Sequence, residues 1–426
     1  MSDTGLPEDL AGWLALIEAR HGQKIELGLE RVAKVRDALG LTSNATIITV
    51  AGTNGKGSTC AMLEAILLAE GYSVGLYTSP HLLRYNERVR VNGLDIDDAS
   101  LAGAFARVEQ ARGETDLTYF EHGTLVAWVC FAERPLDVII LEVGLGGRLD
   151  ATNVFDCDCA ILTSIAMDHM DYLGDTREAI GREKAGVFRA GRPAVCADPM
   201  PTDSVFDVAS EVGAHLLVSG RDFGFSGDRT QWAYWGPAHK RGGLAYPALR
   251  GANQLLNAAA VMTALDALRD RIPVSMQAVR EGLMLVELPG RFQTLPGQPA
   301  VVLDVAHNPQ AVGVLADNLM NMGFYPETWA VVGMLADKSI EATIERIAER
   351  IDHWLPVTLP GPRGMSGEAL ADRLSGMNLN VVESYDSPAE AFRVARDRAT
   401  EGDRIVVFGS FLTVADVMSA IRAERQ

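Results

Sequence analysis

Four short runs of this chain are apolar at odd and even positions alike: TIITVAG from residue 46, SVGLYTS from 73, LDVIILEVG from 136 and CAILTSI from 159. A strand with one wet face alternates, whereas a run without alternation must be covered on both faces, as in a parallel sheet. Helical stretches at 58–70 and 121–133 separate these runs. That strand–helix–strand rhythm predicts a doubly wound α/β layer with crossover helices. At 426 residues the chain exceeds one ordinary core. TLPGQP, residues 294–299, interrupts the rhythm, which restarts in AVVLDVAHNP, TWAVVGML, HWLPVTL, LNVVES and RIVVFGSF. We therefore expect one domain over 1–296 and a smaller α/β domain over 297–426. The stretch 218–250, rich in Gly, aromatic and polar residues, reads as a β-rich excursion of the first. Neither an internal repeat nor a low-complexity tract is visible.

A formal net charge of −18 argues against nucleic acid or an anionic membrane as partner, since both select basic surfaces. The start, MSDTGLPEDLAGWL, lacks the basic and apolar regions of a secretory signal. The most apolar later stretches are short or carry charges, so nothing reads as a membrane span. The five cysteines are odd in number and form no CxxC pair, which fits scattered reduced thiols and a cytoplasmic location. An acidic chain that bound a polyanion would have to gather its cations locally. SPHLLRYNERVRVNG offers Arg84, Arg88 and Arg90, although a solvated loop would look the same.

Between the first apolar run and a helix lies GTNGKGS, residues 52–58. The common phosphate loop, G-x-x-x-x-G-K-[ST], places its lysine next to the hydroxyl residue. Here Gly57 intervenes, and Val50 replaces the first glycine. The context is nevertheless that of a phosphate site: a strand end, a turn of backbone N–H groups and a helix N-terminus with its partial positive charge. Lys56 supplies a point charge and Ser58 can reach a metal ion. Glu142 ends the buried run VIIL at a strand's carboxyl end, where ligands of open α/β sheets collect. An isolated buried carboxylate is costly, so a cation is its expected partner. His169 follows the fourth run, flanked by Asp168 and Asp171; alone it would read as a structural hydrogen-bonder. Lys184, in GREKAGVF, would alone read as an ordinary helical surface lysine.

Taken together and in order, GTNGKGS, TSPHLLRYNERVRVNG, TYFEHGTLVAW, LEVGLGGRLDATN, TSIAMDHMDYLG, GREKAGVF, LPGRFQ, LDVAHNP and GSFLTVADV resemble the folylpolyglutamate synthase/dihydrofolate synthase family, relatives of the Mur ligases. The resemblance spans nearly the whole chain, and its phosphate loop has this deviant spacing. It implies an α/β fold: a P-loop-type, doubly wound, mostly parallel sheet domain plus a smaller Rossmann-like C-terminal domain. Thr53, Asn54, Gly55, Lys56, Gly57 and Ser58 would hold the phosphates of ATP, with Asn257, Arg291 and Asp304 as further nucleotide contacts. Ser58, Ser79, Glu142 and His169 would bind Mg²⁺, two ions in all, and the family also admits a monovalent cation. Lys184 matches a lysine that relatives carry as a carbamate, and His307 falls near the amino-acid site. Lys56, Lys184, His169, Asp304 and His307 would form the catalytic group. Lys24, Ile25, Glu26 and Leu27, with Arg84, Thr118, Tyr119, Phe120, Glu121, Leu149, Asp150 and Ala151, would form the substrate site. TYFE favours the type that accepts a pterin without glutamate.

The expected partners are small molecules: dihydropteroate, reduced folates, L-glutamate and ATP, acting on a monomer. The carboxylate would take the γ-phosphoryl group, and glutamate's amine would displace phosphate from the acyl phosphate. Four other readings compete. A folylpolyglutamate synthase that only extends folate chains would diverge at TYFE and the other pterin stretches. A Mur-type ligase of cell-wall precursors should carry a further N-terminal domain, and only about 45 residues precede the loop. A nucleotide-dependent switch protein would not need the LDVAHNP and GSFLTVADV segments. A dinucleotide oxidoreductase would need a G-x-G-x-x-G turn, which is absent.

Overall fold

The computed structural model describes residues 6–21, 25–228, 230–251 and 253–424. The chain divides into two compact units, Met1–Ala248 with Leu255–Val286, and Leu249–Gln254 with Glu287–Gln426. In the first unit the strands are β1 (Thr46–Ala51), β2 (Val74–Tyr77), β3 (Val89–Val91), β4 (Leu94–Asp95), β5 (Val138–Glu142), β6 (Cys159–Leu162), β7 (Pro193–Cys196) and β8 (His215–Val218). They form one sheet in the order β4-β3-β2-β5-β1-β6-β7-β8. From β2 to β8 every pairing is parallel; only the hairpin edge β2-β3-β4 is antiparallel. The central strands β1, β5 and β6 are buried at every residue, which is why their sequences do not alternate. The aromatic- and glycine-rich stretch forms a separate antiparallel sheet, β9 (Gly224–Gly227), β10 (Trp232–Trp235) and β11 (Lys240–Leu244).

The helices of this unit are α1 (Leu10–His21), α2 (Glu30–Leu39), α3 (Lys56–Glu70), α4 (Asp98–Arg112), α5 (Tyr119–Ala132), α6 (Met170–Leu173), α7 (Arg177–Ala185), α8 (Asp203–Val212), α9 (Gln254–Ala267) and α10 (Met276–Leu285). Two of them begin earlier than their apolar pattern suggests, because their caps lie upstream. Gly55, at φ +90°, precedes α3. At α5 the Thr118 hydroxyl accepts the Glu121 N–H while the Glu121 carboxylate accepts the Thr118 N–H, a closed capping box. At its other end α3 stops at Gly71, in the left-handed region, whose N–H satisfies the carbonyls of Leu67 and Leu68. Helix α10 lies against α3 so closely that a Cβ on Gly282 would sit 2.5 Å from the Ile66 Cα. The phosphate-loop helix is thus held between the sheet and a second helix.

The second unit is a five-stranded sheet of β12 (Gln293–Leu295), β13 (Ala300–Leu303), β14 (Thr328–Val332), β15 (His353–Pro356) and β16 (Arg404–Phe408), ordered β12-β13-β16-β14-β15. All but the β12–β13 pair are parallel. LNVVES, expected to be a strand, makes only an isolated bridge from Val381 to Trp354. It runs beside the edge strand β15, where the Trp354 N–H donates to the Asn380 carbonyl and the Val382 N–H to the Trp354 carbonyl, both at 2.9 Å, and the bridge remains isolated.

Candidate nucleotide and substrate site

In the parallel ladder Val50 stands opposite Glu142, so β1 and β5 end together and deliver the loop and the carboxylate to one edge. The loop is fastened to the segment after β6. Thr53 N–H donates to the Ser164 carbonyl at 2.8 Å, and the Ala166 N–H donates to the Thr53 hydroxyl at 3.0 Å. The hydroxyls of Thr163 and Ser164 reach the Asn54 carbonyl at 2.7 and 3.0 Å. Such close approach requires Gly52, at φ +142°, since a Cβ there would fall 1.9 Å from the Thr163 Oγ1. A Cβ on Gly55 would meet the Asn257 Oδ1 at 2.9 Å, so this buried amide lies against the loop. Lys56 folds over the turn, its Nζ donating to the carbonyls of Gly52 (2.9 Å) and Thr53 (3.2 Å). Ser58 is buried in the first turn of α3.

Glu142 is 4% exposed, and its Oε2 accepts the Ser79 N–H at 3.0 Å, which joins two of the expected metal ligands. His169 stands at φ +51°, in the left-handed region that non-glycine residues rarely occupy, at the start of α6. Its backbone N–H donates to the Asp168 carboxylate. Lys184 is buried, unlike the surface lysine its local sequence suggests. Burial first, and the Lys56 ammonium second, push its amine down to about 7, against the pull of Asp168 and Asp150. Two lysines and the carboxylates around them therefore share one neighbourhood. The GLGG turn makes this possible, because a Cβ on Gly147 would strike the Lys184 backbone at 2.8 Å.

A second group of expected residues also converges. The Gly28 N–H donates to the Leu149 carbonyl at 3.3 Å, bringing the Ile25–Leu27 stretch to the Leu149–Ala151 turn. Arg31 binds the buried Glu121 at 3.1 Å and also Glu26. Phe120 closes over Gly144, where a Cβ would lie 2.5 Å from its ring. Asp150 accepts N–H groups from Gly144, Leu145 and Thr152; burial raises its pKa, and these bonds oppose the rise. Lys24 lies outside the described residues. Arg84 spends its guanidinium on Asp98 at 3.1 Å, and Arg90 pairs with the buried Glu64 at 3.2 Å. The arginine-rich segment is therefore divided among separate partners and does not form one basic patch.

In the second unit, Asp304 accepts the N–H groups of Phe292 (2.9 Å) and Ala306 (2.8 Å). Burial raises its pKa, opposed by the Arg291 guanidinium, which lies 4.8 Å from the centre of the Phe411 ring. His307 has its Nδ1 2.9 Å from the Val305 carbonyl, so that nitrogen carries a proton. Sequence reasoning gave Arg31, Thr163 and Ser164 no role of their own. The last two open the motif TSIAMDHMDYLG at a strand end, and Arg31 lies four residues beyond Leu27 in the same early stretch.

Two family profiles match, one described as "Mur ligase middle domain" over residues 50–197 and one as "Mur ligase, glutamate ligase domain" over residues 290–411. The chain is 45% identical over 418 residues to the dihydrofolate synthase/folylpolyglutamate synthase of Escherichia coli, covering 98% of this chain and 96% of that one. It is 39% identical to the protein of the same name from Haemophilus influenzae, with 97% of both chains covered. Among solved structures, E. coli FolC in complex with DHPP and ADP superposes with a TM-score of 0.93 at 45% identity, covering 98% and 99% of the two chains. A bifunctional folylpolyglutamate synthase/dihydrofolate synthase with Mn, AMPPNP and L-glutamate bound gives 0.90 at 46%, covering 98% and 100%.

Proposed function

Because this chain belongs to the dihydrofolate synthase/folylpolyglutamate synthase family of Mur-type ligases, we propose that it joins L-glutamate first to dihydropteroate and then to reduced folates. It is an ATP-dependent ligase. The observation that carries the substrate reading is the convergence of Glu26, Arg31, Glu121 and the Leu149–Ala151 turn beside the strand-end site. In our reading that convergence holds the pterin, and the assigned loop, carboxylate, lysines and His169 do the chemistry.

A carboxylate is a poor electrophile. Its oxygen attacks the γ-phosphorus of ATP, ADP departs, and an acyl phosphate remains. The amine of glutamate adds to that carbonyl, loses a proton, and the tetrahedral intermediate expels phosphate. Lys56 leaves its loop carbonyls to bind the transferring phosphoryl oxygens, and the N–H groups of residues 53–58 orient the polyphosphate. Asn257 packs beside Gly55 on the nucleotide side. By the family resemblance Arg291 and Asp304 contact nucleotide and His307 the amino acid.

The donor set fits Mg²⁺. Among the described residues no three His, Cys, Asp or Glu side chains form a metal cage. Mg²⁺ bound with a nucleotide needs only one or two carboxylates beside hydroxyls, water and phosphate oxygens. Glu142, Ser58, Ser79 and His169 would hold it, and when bound it would neutralise charge developing on the phosphoryl group. Lys184, with an amine held near neutrality, is suited to add CO₂ and lose a proton. The resulting carbamate would turn repulsion of Lys56 into attraction. In this reading the protein acts as a monomer in the cytoplasm, and its five buried free cysteines suit a reducing compartment.

Dihydropteroate labelled with ¹⁸O in its carboxylate tests the reaction. One labelled oxygen should appear in the released phosphate. Unlabelled phosphate alongside amide product would exclude the acyl phosphate.

A further inference from the structure

The segment between Ser79 and Arg88 does more than carry charge. Glu87 gathers it into a tight turn, its carboxylate accepting the N–H groups of Leu82, Leu83 (2.8 Å) and Arg84 (2.8 Å). Ser79, at one end, is tied to Glu142. At the other end the Arg88 Nε donates to the His81 Nδ1 at 2.8 Å. The same guanidinium lies 5.4 Å from the centre of the Tyr85 ring and 5.6 Å from that of Tyr119. Tyr85 and Tyr119 meet edge to face at 6.3 Å, and His81 packs 5.9 Å from Tyr85. One arginine therefore touches a histidine two residues from Ser79 and the first residue of α5.

We propose that Arg88 is a positioning residue for the pterin acceptor, fixing His81 as a neutral Nε2–H donor and clamping Tyr119 at the start of α5. The chemistry follows from the donor inventory. A guanidinium has no acceptor, so the His81 nitrogen facing it must offer its lone pair, and the ring proton resides on Nε2. His81 then presents a hydrogen-bond donor without a charge, suited to a carbonyl or carboxylate oxygen of an acceptor. Two ring faces hold the guanidinium in place by cation–π attraction. Lysine has no planar fork to satisfy both rings and the imidazole, so it does not substitute. This inference rests on the substrate reading above and refines it.

The test uses full-length enzyme and Arg88→Lys. We expect the KM for dihydropteroate to rise about tenfold, the effect of losing one positioned polar contact, while the KM for ATP moves less than about twofold. In wild-type protein labelled with ¹⁵N-histidine, His81 should show the neutral Nε2–H pattern, identified by its disappearance in His81→Asn, and Arg88→Lys should lose that pattern. If Arg88→Lys does not fold, His81→Asn must give the same split between acceptor and ATP. An unchanged acceptor KM, an equal rise for both substrates, or an Nδ1–H pattern in the wild type would each overturn the proposal. The tautomer is read without turnover. A wild type that ligates no pterin would therefore refute the substrate reading separately from the His81–Arg88 arrangement.

Discussion

Gly52→Ala puts the phosphate loop under a defined load. The new Cβ would lie 1.9 Å from the Thr163 Oγ1 and 3.0 Å from the Ser164 backbone nitrogen, at a φ of +142°. The hydroxyl can rotate away only by giving up its bond to the Asn54 or Ala51 carbonyl, which costs about 1 kcal/mol. The backbone conformation adds roughly 1–3 kcal/mol for a residue with a side chain. The sum, about 2–4 kcal/mol, falls on a turn whose carbonyls also anchor Lys56. Urea unfolding should register the loss as a lower midpoint with an unchanged slope. Calorimetry with ADP should show weaker binding in the fraction that stays folded. In a Thr163→Ala background, where the hydroxyl and its bonds are already gone, Gly52→Ala should cost about 1 kcal/mol less, leaving only the backbone part. A Gly52→Ala protein within about 0.5 kcal/mol of wild type, binding ADP normally, would refute the account of why this position is glycine.

Glu142→Gln keeps the Ser79 contact but removes the charge. Ligation should fall by at least about a hundredfold with the fold intact by circular dichroism, and normal turnover would refute the metal assignment. Lys184 gives a pH signature. Its native pKa, about 7, lies below the unfolded value of 10.5, so between those limits the unfolded chain holds the extra proton. Stability in CO₂-free buffer should therefore rise with pH through that window in wild type relative to Lys184→Met, and a pH-independent difference between their melting temperatures would contradict the burial argument. Added bicarbonate should stabilise wild type and leave Lys184→Met unmoved. Arg31→Met strands the buried Glu121 carboxylate; it should raise the KM for dihydropteroate more than that for ATP, and equal effects would remove Arg31 from the pterin group.

The parts legible in the sequence are those written in consecutive residues. Unbroken apolar runs exposed the parallel sheet, and a charged Glu142 after VIIL marked a strand end with work to do. The joints were not legible. Thr163 and Ser164 meet the loop across more than a hundred residues, and a Thr–Ser pair at a strand end carries no mark of its partner. Lys184 looked like a surface lysine because its helix is polar, and only tertiary packing buries it beside Lys56. Arg84, Arg88 and Arg90 looked like one patch because they are near in sequence, whereas a turn and a strand send them to different partners. LNVVES has the composition of a strand, but at the sheet's edge only one ladder is on offer, and it pairs with β15 only around Trp354.

The central claim is that this enzyme glutamylates a pterin acid as well as a folate. It is tested most directly by ATP-dependent incorporation of labelled L-glutamate into dihydropteroate and into a reduced folate monoglutamate, offered separately with Mg²⁺. Labelled product from both is the predicted result. Product from the folate alone would contradict the pterin assignment of Glu26, Glu121 and the Leu149–Ala151 turn, and product from neither would contradict the substrate reading as a whole.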